Sequence, residues 1–322
     1  MMDYILGVEI GGTKLQLALG SSDGEILAIK KGRVDVSEGG DGIRRWLRTH
    51  IPVFISEGKQ RFGQVAAIGC GFGGPVNHHE GRVLQSIQIE GWKNFPIRDW
   101  FSETFSLPAT VDNDSNAAAW GEYCRGFGRG CEYFFYTNIG SGVGGGFILN
   151  NKLYDGQGFG AGEFGHTYVP DWTSDIPGKG IKVEQACSGW AIESRLRTPG
   201  YVPKSSKLYE ILSGELTNVR VHDLAECAQH GDAFSLREID RVAYSIGLGL
   251  ANVLCLTNVE RIAIGGGVSK LGELLLEPIR QYTREFEFVS CRGRYEISQC
   301  ELGDDIVLVG AILIAQEILN SA

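Results

Sequence analysis

The chain has 322 residues, 43% hydrophobic and 21% charged, and its 39 acidic against 30 basic residues leave a formal net charge of −9. Such a chain reads as a soluble globular protein of about two domains with real cores. Its 46 glycines gather in turns, not in a low-complexity tract, and its acidity makes nucleic acid and membrane surfaces unexpected partners.

The first stretch, Tyr4 to Gly20, is an apolar run that halts at Gly11-Gly12-Thr13-Lys14 and resumes. It reads as a β-hairpin with a tip of bare backbone. Such a tip is either an ordinary tight turn or a seat where amides, a hydroxyl and a cation approach an anion. With 25–34 it predicts a three-stranded antiparallel meander. Gly20-Ser21-Ser22-Asp23-Gly24 matches the G-x-S-x-G of serine hydrolases, but a strand follows where that motif needs a helix, so Asp23-Gly24 is a hairpin turn.

Residues 42–57 have helical spacing, and Val65 to Phe72 read as a buried strand running into Gly73-Gly74-Pro75. A short amphipathic helix is expected over 96–105 and a strand over 108–112. At Asp112-Asn113-Asp114-Ser115-Asn116 the pattern turns helical.

A second meander follows. Tyr133 to Asn138 lead into Ile139-Gly140-Ser141-Gly142-Val143-Gly144-Gly145-Gly146, then Phe147 to Tyr154. This echo of the opening predicts a duplicated α/β architecture with a cleft between its halves. Gly140, Gly142 and Gly145 spell G-x-G-x-x-G, but the dinucleotide fingerprint must open a helix, and here a strand follows.

Residues 155–182 read as irregular and glycine-rich, long enough to be a functional loop. Helices are expected at 183–197, 205–213, 219–230 and 233–258. The strand Arg261 to Ile264 stops at Gly265-Gly266-Gly267 before another helix, a place where amides and a dipole end meet a nucleotide. A packed helix closes the chain from Ile306.

The eight cysteines, at 70, 124, 131, 187, 227, 255, 291 and 300, form no C-x-x-C. That pattern fits reduced thiols in a cytoplasmic protein. The start shows no signal-like flank, and the apolar windows near 242–256 and 306–319 are too short or too polar to span a bilayer.

Seven motifs in order make the chain resemble the ROK family of sugar kinases and related repressors, within the actin/hexokinase-like superfamily. They are Glu9-Ile-Gly-Gly-Thr-Lys14, Gly71-Phe-Gly-Gly-Pro-Val76, Asn113-Asp-Ser-Asn-Ala117, Ile139 to Gly146, Glu163-Phe-Gly-His166, Glu184 with Ser188-Gly189, and Gly265-Gly-Gly-Val-Ser269. The resemblance implies an α/β, two-domain actin-like (ribonuclease H-like) ATPase fold with duplicated mixed sheets and an interdomain cleft. The implied domains are 1–112, completed by the C-terminal helix 306–322, and 113–305.

It also implies ATP-dependent phosphorylation of a hexose at the 6-hydroxyl, glucokinase-like. A hydroxyl attacking a γ-phosphate needs a carboxylate to take its proton and cations and amides for the phosphate charge. From the residues alone Asp114 suits helix N-capping as well as that base; the resemblance makes it the base. Asn113, structural in a local reading, would bind a sugar hydroxyl. Glu163, His166 and Glu184 would be the other sugar ligands, where a bare Glu-x-x-His also suits a metal or a solvated loop. The backbone at Gly73 and Gly74 would line the sugar pocket. Gly11, Gly12, Thr13, Lys14, Gly140, Ser141 and Gly142 would hold the ATP phosphates, and Gly265, Gly266 and Gly267 the adenosine. Mg2+ would bridge the phosphates, through water from an acidic residue near the first hairpin, with Glu9 the candidate.

The chain departs from the family pattern twice. Most members carry Asp where Glu9 stands. Many carry C-x-C-G-x-x-G-C-x-E, whose thiolates bind structural zinc with the preceding histidine; those three positions are Asp175, Pro177 and Lys182. No structural zinc is expected, and the 167–182 loop must then be ordered by packing.

Other acceptors of the same family, fructose, mannose or an N-acetylhexosamine, stay open, as do polyphosphate as donor and a non-catalytic sugar sensor. A DNA-binding repressor is disfavoured, because the first hairpin begins at residue 4 where family repressors carry an N-terminal helix-turn-helix. A homodimer is expected from the resemblance.

Overall fold

The computed structural model describes residues 4–86, 88–158 and 160–321; the start of the chain at 1–3, read above as lacking a signal-like flank, lies outside them. In chain order the elements are β1 Tyr4–Ile10, β2 Lys14–Gly20, β3 Ile26–Arg33, α1 Gly39–Arg61, β4 Val65–Phe72, a small hairpin of β5 Val76–Asn77 and β6 Arg82–Val83, α2 Ile97–Phe105, β7 Ala109–Asn113 and α3 Asp114–Arg125. Then come β8 Tyr133–Ile139, β9 Val143–Leu149, β10 Lys152–Tyr154, β11 Tyr168–Pro170, β12 Gly180–Lys182, α4 Val183–Cys187, α5 Gly189–Arg197, α6 Lys207–Ile211, α7 Val221–Gln229 and α8 Ala233–Thr257. β13 Arg261–Gly265, α9 Glu273–Phe286, β14 Glu296–Gln299 and α10 Ile306–Ser321 complete the chain.

Two compact units result: 1–130 with 146–162 and 301–322, and 131–145 with 163–300. The two five-stranded sheets have the same order, β3-β2-β1-β4-β7 and β10-β9-β8-β13-β14. In the first, β1 is antiparallel to β2 and β2 to β3, while β1, β4 and β7 run parallel. In the second, β9 and β10 are antiparallel and β13 is parallel to both β8 and β14. Both sheets are mixed, as the resemblance implies, and both are open.

Strand alternation sorts the first sheet's two faces. Leu6, Val8 and Ile10 point into a cluster with Ile43, Leu47 and Ile51 of α1 and Phe101 of α2. Ile5 points the other way, into a cluster with Leu308, Ile312 and Ala315 of α10. Each fully buried Leu or Ile contributes about 1.5–3 kcal/mol of transfer free energy. On the α10 side glycines replace bulk. A Cβ on Gly69 of β4 would lie 1.8 Å from the Ala311 carbonyl oxygen, and one on Gly310 of α10 would lie 1.6 Å from that of Ala117. The last helix therefore lies against strand and helix backbone with no side chain between.

Three sequence expectations change. The 155–182 stretch is not irregular throughout, since β11 and β12 pair antiparallel with Tyr168 opposite Lys182. The helix expected over 183–197 is two helices, broken at extended Ser188, whose hydroxyl accepts from the Ala191 amide and caps the second. The window near 242–256, expected to be too short or too polar to span a bilayer, lies in α8. Among the described residues α8 is the one helix long and apolar enough to do so by length and composition; 61% of its apolar window is buried in protein, as in a core helix.

Candidate active site

In the first unit three strand ends converge. The Gly11 amide donates to the Lys14 carbonyl at 2.9 Å, closing the first hairpin tip, and the Gly73 amide donates to the Ile10 carbonyl at 2.8 Å. A Cβ on Gly73 would meet the Gly11 Cα at 3.2 Å and Asp114 Oδ2 at 3.3 Å. The phosphate-turn candidate, the 73–74 turn and Asp114 thus lie within van der Waals reach. Gly12 is covered by a residue that no motif marks, since a Cβ there would collide with the Gln88 amide group.

Asn113 caps α3. Its Oδ1 accepts from the Ser115 amide at 2.9 Å and the Asn116 amide at 3.3 Å, and its Nδ2 donates to the Gly74 carbonyl at 3.0 Å. The capping role that sequence alone offered Asp114 therefore belongs to Asn113. Asp114 sits half-buried in the first helical turn, where the helix dipole favours negative charge. Asp112, unmarked by the sequence reading, holds this turn in place. Its Oδ1 accepts from the Asn113 amide at 2.7 Å and from Asn116 Nδ2 at 2.9 Å. Burial pushes its carboxyl above the usual range, opposed by His78, whose Nδ1 lies 3.4 Å from Oδ2.

Glu9 is 6% exposed and accepts from Gln16 Nε2 at 2.7 Å. The two face each other in register across β1 and β2, a pairing that alternation makes readable only once the hairpin is placed. Burial raises the Glu9 carboxyl, Lys14 and the Gln16 hydrogen bond pull it back, and the charges of Asp305 and Asp304 raise it further. Thr13, Lys14, Gln16, Lys31, Arg33 and Asp304 line an open groove of about 700 Å³ beside the hairpin.

Because its folded value is raised, Glu9 holds its proton more tightly in the native state, so its contribution is most favourable at low pH. That contribution is lost as pH climbs from the ordinary value of 4.5 through the raised one. Glu9→Gln is expected to unfold with a flatter pH dependence than the parent over that window, and to be the more stable of the two above it. Parallel thermal melts from pH 4 to 8 check this; curves of the same slope would mean that Glu9 ionises freely.

In the second unit the glycine hairpin between β8 and β9 is the organising feature. The Gly140 amide donates to the Gly142 carbonyl at 2.8 Å, and the Gly140 carbonyl accepts from the Gly189 amide at 2.7 Å. Glu184 Oε2 accepts from the Val143 amide at 3.0 Å, and a Cβ on Gly142 would crowd that oxygen at 2.5 Å. Gly165 presses on the same residue, for its Cβ would lie 2.0 Å from the Val143 carbonyl oxygen. Gly266, at φ +85°, lies against Ile139, whose carbonyl oxygen would be 2.5 Å from a Cβ. Ser141, Glu184, the 163–166 turn and the 265–267 turn are gathered around one hairpin tip.

Within that turn, Glu163 and His166 are exposed at its two ends, and the His166 amide donates to the Glu163 carbonyl at 3.0 Å. His166 Nδ1 lies 3.0 Å from Lys182 Nζ. The loop between β11 and β12 is ordered by side chains. Trp172 lies under the guanidinium groups of Arg195, at 4.7 Å, and Arg241, at 5.2 Å. Its indole donates to Ser245 Oγ at 3.0 Å, and Asp171 accepts from Thr173 and Lys179. Arg195 is anchored in turn by buried Glu238.

Zinc does not fit here. The three ligand positions hold a carboxylate, a proline and an ammonium, and the ammonium already engages the histidine. Among the described residues no group of three or more His, Cys, Asp or Glu side chains is arranged to hold a metal. A Mg2+ ion, a hard cation that keeps several waters, needs only one or two carboxylates when phosphates supply the rest, and buried Glu9 fits that part.

Comparison with known proteins follows the same lines. The sequence profile described as "ROK family" matches residues 5–318. A glucokinase of Halalkalibacterium halodurans is 30% identical over 320 residues, covering 99% of this chain and 96% of that protein. A xylose repressor of Caldicellulosiruptor bescii is 27% identical over 311 residues, covering 96% of this chain and 77% of the repressor. Among solved structures, a ROK family glucokinase from Streptomyces griseus, in complex with glucose and AMPPNP, superposes with a TM-score of 0.80 at 31% identity, covering 98% of this chain and 99% of that one.

Proposed function

The chain belongs to the ROK family and is an ATP-dependent sugar kinase, and from that premise we propose that it phosphorylates a hexose, glucose first, at the 6-hydroxyl. The observation that carries the chemistry is the division of labour at the start of α3. Asn113 satisfies the helix's free amides, leaving the Asp114 carboxylate clear of the capping role and 3.3 Å from where a Gly73 side chain would begin.

On this reading Asp114 accepts the proton of the attacking hydroxyl as the bond to the γ-phosphorus forms. The amides around Gly11, Gly12, Gly140, Ser141 and Gly142, with Thr13 and Lys14, hold phosphate oxygens, and Gly265, Gly266 and Gly267 accept the adenosine face. Asn113, Glu163, His166, Glu184 and the 73–74 backbone hold and orient the remaining sugar hydroxyls. Glu9 would hold, through water, the Mg2+ that accompanies ATP, and that ion would supply neutralisation of phosphate charge. Glucokinase relatives at about this identity support glucose over mannose, fructose or N-acetylated hexosamines. A cytoplasmic homodimer without structural zinc completes the proposal.

The test is ADP release over a panel of hexoses and N-acetylhexosamines, followed by 31P analysis of the product. Glucose is expected to give the highest kcat/KM and glucose 6-phosphate the product. If none of the sugars gave ADP release above the Asp114→Asn control, the reading would fall. Faster transfer from polyphosphate than from ATP would overturn the adenosine assignment.

A further inference from the structure

We propose that Lys182 is a positioning residue that fixes the hydrogen-bonding sense of His166, making that histidine a donor to the sugar; the sugar part rests on the function proposed above. A lysine ammonium has three hydrogens to donate and no lone pair to accept with. At 3.0 Å from His166 Nδ1, it can only donate, so Nδ1 is the bare nitrogen of the ring. A neutral imidazole then carries its hydrogen on Nε2. An imidazolium, with hydrogen on both nitrogens, has nothing to offer the ammonium. The Nε2 edge of His166 is thereby a donor, suited to the oxygen lone pair of a hydroxyl and unsuited to its hydrogen.

The backbone holds both partners for this contact. Lys182 lies opposite Tyr168 in the β11–β12 ribbon, and the next amide, Val183, donates to the Thr167 carbonyl at 2.9 Å. Thr167 Oγ1 donates back to the Phe164 carbonyl at 2.7 Å, locking the turn that ends at His166. Phe164 is buried against Phe135 at a centroid distance of 5.6 Å. At the far end of the ribbon, Trp172 anchors the loop under Arg195 and Arg241. Both residues of the pair therefore extend from backbone hydrogen-bonded to its neighbours. Glu184, two residues past Lys182, is held by the Val143 amide, so one short segment sets the aim of His166 and the anchorage of a second candidate sugar ligand.

Lys182→Met keeps the stem of the side chain and removes the donor. Lys182→Arg restores a donor with no acceptor capacity. Long-range 1H–15N correlation spectra of the sugar-free protein, with His166→Gln used for assignment, are expected to show the Nε2–H form in the parent and in Lys182→Arg. Lys182→Met is expected to mix the two tautomers and to raise the sugar KM about tenfold, the worth of one hydrogen bond, with a smaller change in the ATP KM. A parent His166 in the Nδ1–H form overturns the proposal. So does a Lys182→Met protein with an unshifted tautomer, or with a shifted tautomer and an unchanged sugar KM. If the unaltered protein phosphorylates no sugar, the function reading fails, and the spectra alone decide whether the lysine sets the ring.

Discussion

Asp114→Asn is expected to lower sugar-dependent ADP release by about a thousandfold, within the range that a general base contributes. The substitution keeps the shape of the side chain but replaces the carboxylate with a neutral amide that cannot take the proton. Helix α3 survives, because its amides at Ser115 and Asn116 are capped by Asn113. The loss of a negative charge in the first turn costs about 0.3–1 kcal/mol of helix-dipole stabilisation, which leaves folding intact. On the proposed role of Asp114, kcat should fall far more than KM rises, since a general base takes its proton in the transition state and not on binding. Retention of more than a tenth of the parent kcat, in a protein with a parental circular dichroism spectrum, would remove Asp114 from the chemistry.

Gly310→Ala is expected to destabilise the first unit by about 3 kcal/mol, the upper end of ordinary overpacking, and to take activity down with it. The added methyl would stand 1.6 Å from the Ala117 carbonyl oxygen. The obstruction is helix backbone, which cannot swing aside as a side-chain tip does. A Cβ on Gly121, across the same contact, would already lie 2.9 Å from the Gly310 nitrogen, so the two helices meet backbone to backbone over this span. Helix α3 would have to move away from α10, and α3 carries Asp114. Urea denaturation read by circular dichroism measures the effect. A loss below 1 kcal/mol would mean that the helices are not held this close.

Several features were legible because they are local. The apolar runs broken by Gly11-Gly12 and by Gly140 to Gly146 make hairpins wherever they are placed, since alternation and bare turns act over a few residues. The repeat of that pattern predicted two similar sheets, and the strand orders match one for one. The close of the chain in a packed helix was equally plain from its composition. By contrast, the β11–β12 ribbon was hidden, because three-residue strands among glycines leave too short an alternation to read. β14 was missed for a related reason, since of its four residues Glu296–Gln299 only Ile297 is apolar.

At the candidate site the sequence named residue types but left their duties open. Asn113 and Asp114 both suit a helix N-cap, and nothing in their order says which takes it. The decision comes from β7, whose last residue, Asn113, is extended at φ −60° and ψ 144° and turns its side chain onto the next amides. Glu9 was visible as a departure from the family pattern; its partner Gln16 lies across the same hairpin, but its nearness to Asp304 and Asp305 depends on a segment almost the whole chain away.

The chain by itself thus determined its hairpins, their glycine tips and its amphipathic helices, because those depend on neighbours a few residues away. Tertiary structure decided which polar group meets which. Gln88 covers Gly12, Glu184 grips the amide of Val143, and Lys182 meets the ring of His166. Each is a contact between segments that only the packed fold brings within hydrogen-bonding or van der Waals distance, and short-range forces act nowhere else.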